Sequence, residues 1–144
     1  MEKKISEIKD DCISIRYQGK IYTINISEEL SINENILNTQ LKNHPSNYAF
    51  LCLIRDKYIR KRDRLEKEKD IAYSKAWLFY KESDSRLNND TVSHKALTNN
   101  KYITLEKQFL KISDKANRLI SICKAYEARE RILQTLAANL RKQQ

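Results

Sequence analysis

Aromatic and basic side chains interleave between Tyr58 and Lys81. Tyr58, Tyr73, Trp77, Phe79 and Tyr80 share one helical stretch with Arg60, Arg62, Arg64 and Lys75. Proteins that hold single strands use this combination: cations neutralise phosphates, and ring faces stack on unpaired bases. Lys57, Lys61, Lys67 and Lys81 add to the charge, and the Arg60-Lys61-Arg62 cluster is not locally neutralised. Acids one turn away, such as Asp63 with Lys67, contribute only a few tenths of a kcal/mol. Aromatic residues at helical spacing are also ordinary core, so Tyr58 and Phe79 are read as core, and Trp77 and Tyr80 as open to either role. The candidate nucleic-acid-binding set is Lys57, Arg60, Lys61, Arg62, Arg64, Lys67, Lys75, Trp77 and Tyr80.

Other chemistry finds little footing. One glycine in 144 residues cannot build a phosphate-binding loop. His44 and His94 stand in separate expected loops, with no carboxylate or thiol at ligand spacing, so no metal is expected. Cys12, Cys52 and Cys123 are odd in number and far apart, which argues against a disulfide framework. Cys52 and Cys123 sit in apolar helical stripes and are read as small buried hydrophobes. Glu127 and Glu130 fall on a charged helix face, where solvated ion pairs are the default. The expectation is a protein that is not an enzyme and uses no cofactor.

The elements that would position the basic stretch follow from composition and periodicity. The chain is 40% hydrophobic and 33% charged, with one Gly and one Pro, which favours long helices over a many-stranded sheet. Lys and Arg outnumber Asp and Glu by 28 to 19, for a net charge of +9. That balance favours a polyanionic partner or an anionic membrane surface, against the plainer reading of a solvated basic face. No apolar run reaches the ~20 residues of a membrane span, and no signal core follows Met-Glu-Lys-Lys, so a cytoplasmic location is expected.

Taken in order, a charged tail with a short turn around Ile5 and Ile8 precedes two alternating stretches, 12–17 and 20–26, joined at Gln18-Gly19. These predict a β-hairpin. It must lie on the helices, pair with another hairpin or join a neighbouring subunit. Leu30, Ile32, Ile36, Leu37 and Leu41 predict a short amphipathic helix within 27–43, closed by a break at His44-Pro45. The basic helix then covers about 46–81, with Arg55, Arg62 and Lys69 interrupting its apolar stripe. A polar connection follows over 83–100, in which Thr91 can cap a short helix through Leu97.

The last helix, about 102–140, carries the clearest pattern. Leu105, Phe109, Ile112, Ala116, Leu119, Cys123, Tyr126, Leu133, Ala137 and Leu140 recur at alternating spacings of three and four, with Glu130 out of place. Leu105, Phe109, Ile112, Leu119, Tyr126 and Leu133 are therefore the expected helix-packing and oligomer contacts. The fold class is mainly α: tail and hairpin over 1–29, then a helical domain over 30–144 whose two long helices run antiparallel and oligomerise.

These residues resemble the UvsY-type recombination mediators of tailed phages from about Leu30 to Arg141. The likeness rests on a P-x-x-Y-A entry at Pro45, Tyr48 and Ala49, an A-x-x-x-R-x-x-x-L run at Ala125, Arg129 and Leu133, and a closing Leu140-Arg141. The family's L-K-A-R-L-x-Y motif, tied to its DNA-binding role, is matched at Lys75, Ala76, Leu78 and Tyr80, with Trp77 in place of the arginine. The resemblance implies a phage protein in the bacterial host cytoplasm that binds single-stranded DNA and oligomerises into a ring. It would help a recombinase displace the single-strand-binding protein in DNA recombination and repair, without metal or cofactor. The alternative is a coiled-coil structural or adaptor protein whose ligand is another protein. The two part on whether the basic residues cluster on one exposed face.

Overall fold

The computed structural model describes residues 12–143, so the tail and its turn around Ile5 and Ile8 lie outside the described residues. The protein is mostly helical, with an N-terminal hairpin, a short helix and long helices that pack against each other. Two compact units divide it, one from residues 12–56 with 117–143 and one from residues 57–116.

In the first unit β1 (Cys12–Tyr17) pairs antiparallel with β2 (Lys20–Asn25), placing Ile15 opposite Tyr22. Gln18 and Gly19 take φ of 50° and 76°. Two successive positive φ values make the turn whose twist matches a hairpin, and glycine adopts one of them without strain. Ile13 and Ile15 are buried, while Tyr17 and Tyr22 set their rings edge-on to Phe50 at 5.6 and 5.7 Å. The hairpin thus lies on a helix of its own chain, which supplies the apolar support a two-stranded ribbon lacks.

α1 (Ile26–Glu29) is a single turn capped by the Asn25 side chain. The continuous helix expected over 27–43 does not form. A 3-10 turn, Glu34–Ile36, capped by Asn33, leads instead into α2 (Leu37–Ser83). The interruption is held by a distant residue: the Ser31 carbonyl accepts Arg129 Nε at 3.1 Å and Nη2 at 3.0 Å, and Gln40 Nε2 at 3.2 Å. A carbonyl engaged by three donors does not turn inward to serve a helix.

The break expected at His44-Pro45 is also absent, for α2 runs through Pro45. His44 holds this turn helical. It is 2% exposed, stacks on Tyr126 with centroids 4.4 Å apart, and receives Arg129 Nη1 on Nδ1 at 2.9 Å. Arginine can only donate, so Nδ1 accepts and the proton resides on Nε2, a buried N–H without a partner among the described residues. Burial, with Arg129 next, lowers the His44 pKa and keeps the ring neutral. A proline inside a helix costs about 3 kcal/mol, while its effect on the unfolded chain returns about 0.4–1 kcal/mol. The exposed Pro45→Ala variant should therefore be about 2 kcal/mol more stable in urea unfolding; a less stable variant would mean that the ring itself shapes the helix.

α4 (Asn100–Lys142) carries the seam. In this unit Leu119, Cys123, Tyr126 and Leu133 are buried, joined by Ile122, while Leu140 is exposed. Arg129, not Glu130, takes the buried position between Tyr126 and Leu133. His44 meets Arg129, whereas Tyr48, one turn later, stacks parallel to Tyr126 and donates its hydroxyl to Glu127, so α2 and α4 run antiparallel here. Burial pushes the Cys123 thiol up to about 11, well above reactive thiols, whereas Cys52 is half-buried.

In the second unit α2 buries Tyr58, Leu65, Ala72 and Ala76, and α4 buries Tyr102 and Ala116, with Leu105, Phe109 and Ile112 half-buried. Lys69 Nζ lies 4.4 Å from the centre of the Phe109 ring, and Tyr73 meets Tyr102 edge-on at 5.7 Å, again an antiparallel pairing. Between them in the chain, α3 (Asn89–Leu97) buries Val92 and Ala96. Its cap is Asn88, not Thr91: the Asn88 side chain accepts the Thr91 N–H at 2.8 Å. Among the described residues no helix is long and apolar enough to cross a membrane.

Candidate nucleic-acid interface

The unit of residues 57–116 carries +6 of the chain's +9 charge. At about 100° per residue, Lys57, Arg60, Lys61, Arg64, Lys67 and Lys75 of α2 fall within an arc of about 120°. This arc lies to one side of the buried stripe of Tyr58, Leu65, Ala72 and Ala76. Arg60, Lys61, Arg64, Lys67 and Lys75 are exposed, and Lys57 is half-buried. Among the described residues the ion pairs are Arg55–Asp56, Arg62–Asp63 and Arg86–Asp84, so those five exposed cations make none. At 1.5 Å per residue the row is about 27 Å long, enough to follow several consecutive phosphates.

Other members of the expected set stand elsewhere. Arg62 is half-buried on the opposite flank of the stripe, where it meets Asp63 at 3.2 Å, so part of the Arg60-Lys61-Arg62 cluster is neutralised after all. Among the described residues the interrupting cations make no ion pair across the helices: Arg55 pairs with adjacent Asp56, and Lys69 sits on Phe109. Trp77 and Tyr80 are half-buried toward α3. Trp77 Nε1 donates to Ser93 Oγ at 3.2 Å, and Lys95 Nζ lies 5.9 Å from the centre of the Tyr80 ring.

Phe79 is 65% exposed, not core. It falls at the edge of the buried stripe on the cationic side, while α3 covers the Trp77 and Tyr80 side. An open groove of about 400 Å³ runs along α2, lined by Tyr73, Ser74, Trp77 and Leu78. Tyr73, Ser74 and Leu78 were not among the expected site residues, because the positions four and three before Trp77 and one after it carry no signal of a groove. Lys107 and Lys111, exposed one turn apart on α4, were also passed over, although their spacing is visible in the sequence. Among the described residues no group of three or more His, Cys, Asp or Glu side chains could hold a metal ion.

Fold and site together define a basic helical protein with a cationic face on one long helix. No protein-family model matches the chain, and no curated protein and no solved structure matches it.

Proposed function

We propose that this protein binds single-stranded DNA along the outer face of α2, without catalysing a reaction. The observation that carries the reading is the row of Arg60, Lys61, Arg64, Lys67 and Lys75, exposed on one side of a helix and free of ion pairs among the described residues. Unpaired cations at this density release condensed counterions when they meet phosphates, and that release supplies affinity whatever the sequence of the strand. Half-buried rings on the same helix favour a single strand over a duplex, whose bases are already stacked. A recombination mediator, acting as a homo-oligomer with a recombinase and a single-strand-binding protein as partners, is the narrower form of the proposal. Support for that form comes from the motifs around Pro45, Lys75 and Arg129. Several copies presenting the same row would multiply modest contacts into avidity.

The competing adaptor reading draws on exposed apolar side chains in the same unit, Phe79 at 65% and Leu110 at 59%. Fluorescence anisotropy of a labelled oligothymidine and a matched duplex, titrated at several salt concentrations, separates the two. Tighter binding of the single strand is expected, with a log–log salt slope steeper than about −3, four or more phosphates at ~0.7 each. No binding at near-physiological salt would overturn the proposal and leave the charge to a protein interface.

A further inference from the structure

The geometry points to the groove of Tyr73, Ser74, Trp77 and Leu78 as the seat of an unpaired nucleobase, held face-on against the indole of Trp77. This assignment rests on the reading of α2 as a strand-binding helix. Its shape and chemistry suit a base. The groove measures about 400 Å³, and it offers two aromatic rings, one aliphatic side chain and one hydroxyl. A base needs the same things: apolar walls for its faces and a polar group for its edge.

The platform is already fixed. Trp77 Nε1 is held by Ser93 of α3, and Tyr73 is braced edge-on by Tyr102 of α4. Neither ring must surrender much rotational freedom when a ligand arrives, so stacking is gained with little ordering cost. Position along α2 completes the argument. Arg60 and Lys67, both exposed, precede Ser74 at seven-residue intervals and so stand on nearly one line along the helix; that edge of the cationic row leads to the groove, and a strand that follows it brings a base there. Asp70, exposed one turn before Tyr73 and Ser74, disfavours a phosphate in the groove itself but not a neutral base. A second copy of this chain is the poorer occupant, because it would bring one cationic row against another.

Trp77 is the chain's single tryptophan, so its emission reports on the groove alone. The full chain is titrated with an oligothymidine and with an abasic strand of equal length, following anisotropy of a label on the strand together with tryptophan emission. Oligothymidine should quench Trp77, whereas the abasic strand should bind through its phosphates without quenching. Trp77→Leu should weaken oligothymidine binding about tenfold to a hundredfold and leave abasic binding unchanged. Quenching of the wild-type protein needs no variant, so the test survives a Trp77→Leu chain that fails to fold. Binding without quenching, or equal quenching by both strands, overturns the groove assignment while the strand-binding reading stands. Emission that changes with protein concentration and not with added strand assigns the groove to a second copy and overturns it too. If neither strand binds, the reading of α2 falls and takes the groove with it.

Discussion

Arg129→Leu is expected to destabilise the protein by about 3 kcal/mol in urea unfolding, with both the midpoint and the far-ultraviolet signal reporting the loss. Arg129 is 7% exposed and is the one charged side chain in the buried set among the described residues. Among the described residues no carboxylate pairs with it. Its charge is met by the Ser31 carbonyl, which receives Nε and Nη2, by Nδ1 of neutral His44, and by the Tyr126 ring 5.2 Å away. Hydrogen bonds from a charged donor are worth about 1.5–3 kcal/mol each, and their removal leaves a buried acceptor on His44 whose Nε2 is already unpartnered. Against this stands the cost of burying the guanidinium, which leucine escapes, so the net loss lies below the sum of the bonds. Lysine cannot rescue the site, because a single ammonium does not reproduce a fork that spans Ser31 and His44. The double variant Arg129→Leu with His44→Leu should lose less than the two single variants added together, since the orphaned acceptor disappears. A single-variant loss under about 1 kcal/mol would show that desolvation cancels the network.

That network also explains what was legible in the sequence and what was not. The hairpin could be read because its information is local: alternating Ile13 and Ile15, then a glycine at the turn. The seam of α4 could be read because three- and four-residue spacings report a buried face directly, and Leu119, Cys123, Tyr126 and Leu133 are buried. One residue of phase was lost at Glu130, where the spacing passes over Arg129, a residue no hydrophobicity pattern would place inside. The breaks around α2 were misread for the same reason. Pro45 carries a strong local signal to stop a helix, yet His44 is held by Tyr126 and Arg129. Ser31 carries no signal to start a break, yet Arg129 is bonded to it from 98 positions away. Local rules yield where a long-range contact is worth more than the local preference. For the candidate site, the cationic content was plain, but the side of the helix on which each cation stands depends on phase, which separates Arg60, Arg64 and Lys67 from Arg62.

The same separation yields the largest functional effect. Arg60→Gln, Arg64→Gln and Lys67→Gln combined should weaken oligothymidine binding about fiftyfold at 0.15 M salt and reduce the log–log salt slope by about 2, with affinities converging toward 1 M salt. The magnitude follows from counterion release, as three phosphate contacts at ~0.7 each raise the salt concentration to a power of about −2.1. Folding should survive, because these side chains are exposed and unpaired among the described residues, and such surface changes stay within about 0.5 kcal/mol. Arg62→Gln is the internal comparison. It removes the same charge from the same stretch of helix, but from a half-buried side chain paired with Asp63 on the opposite flank, so it should leave the slope nearly unchanged. If binding depended only on the chain's overall +9, Arg62→Gln would cost as much as any one of the three substitutions. A face-specific loss would locate the strand on one side of α2, whereas an equal loss from Arg62 would reduce the cationic row to one part of a diffuse positive surface.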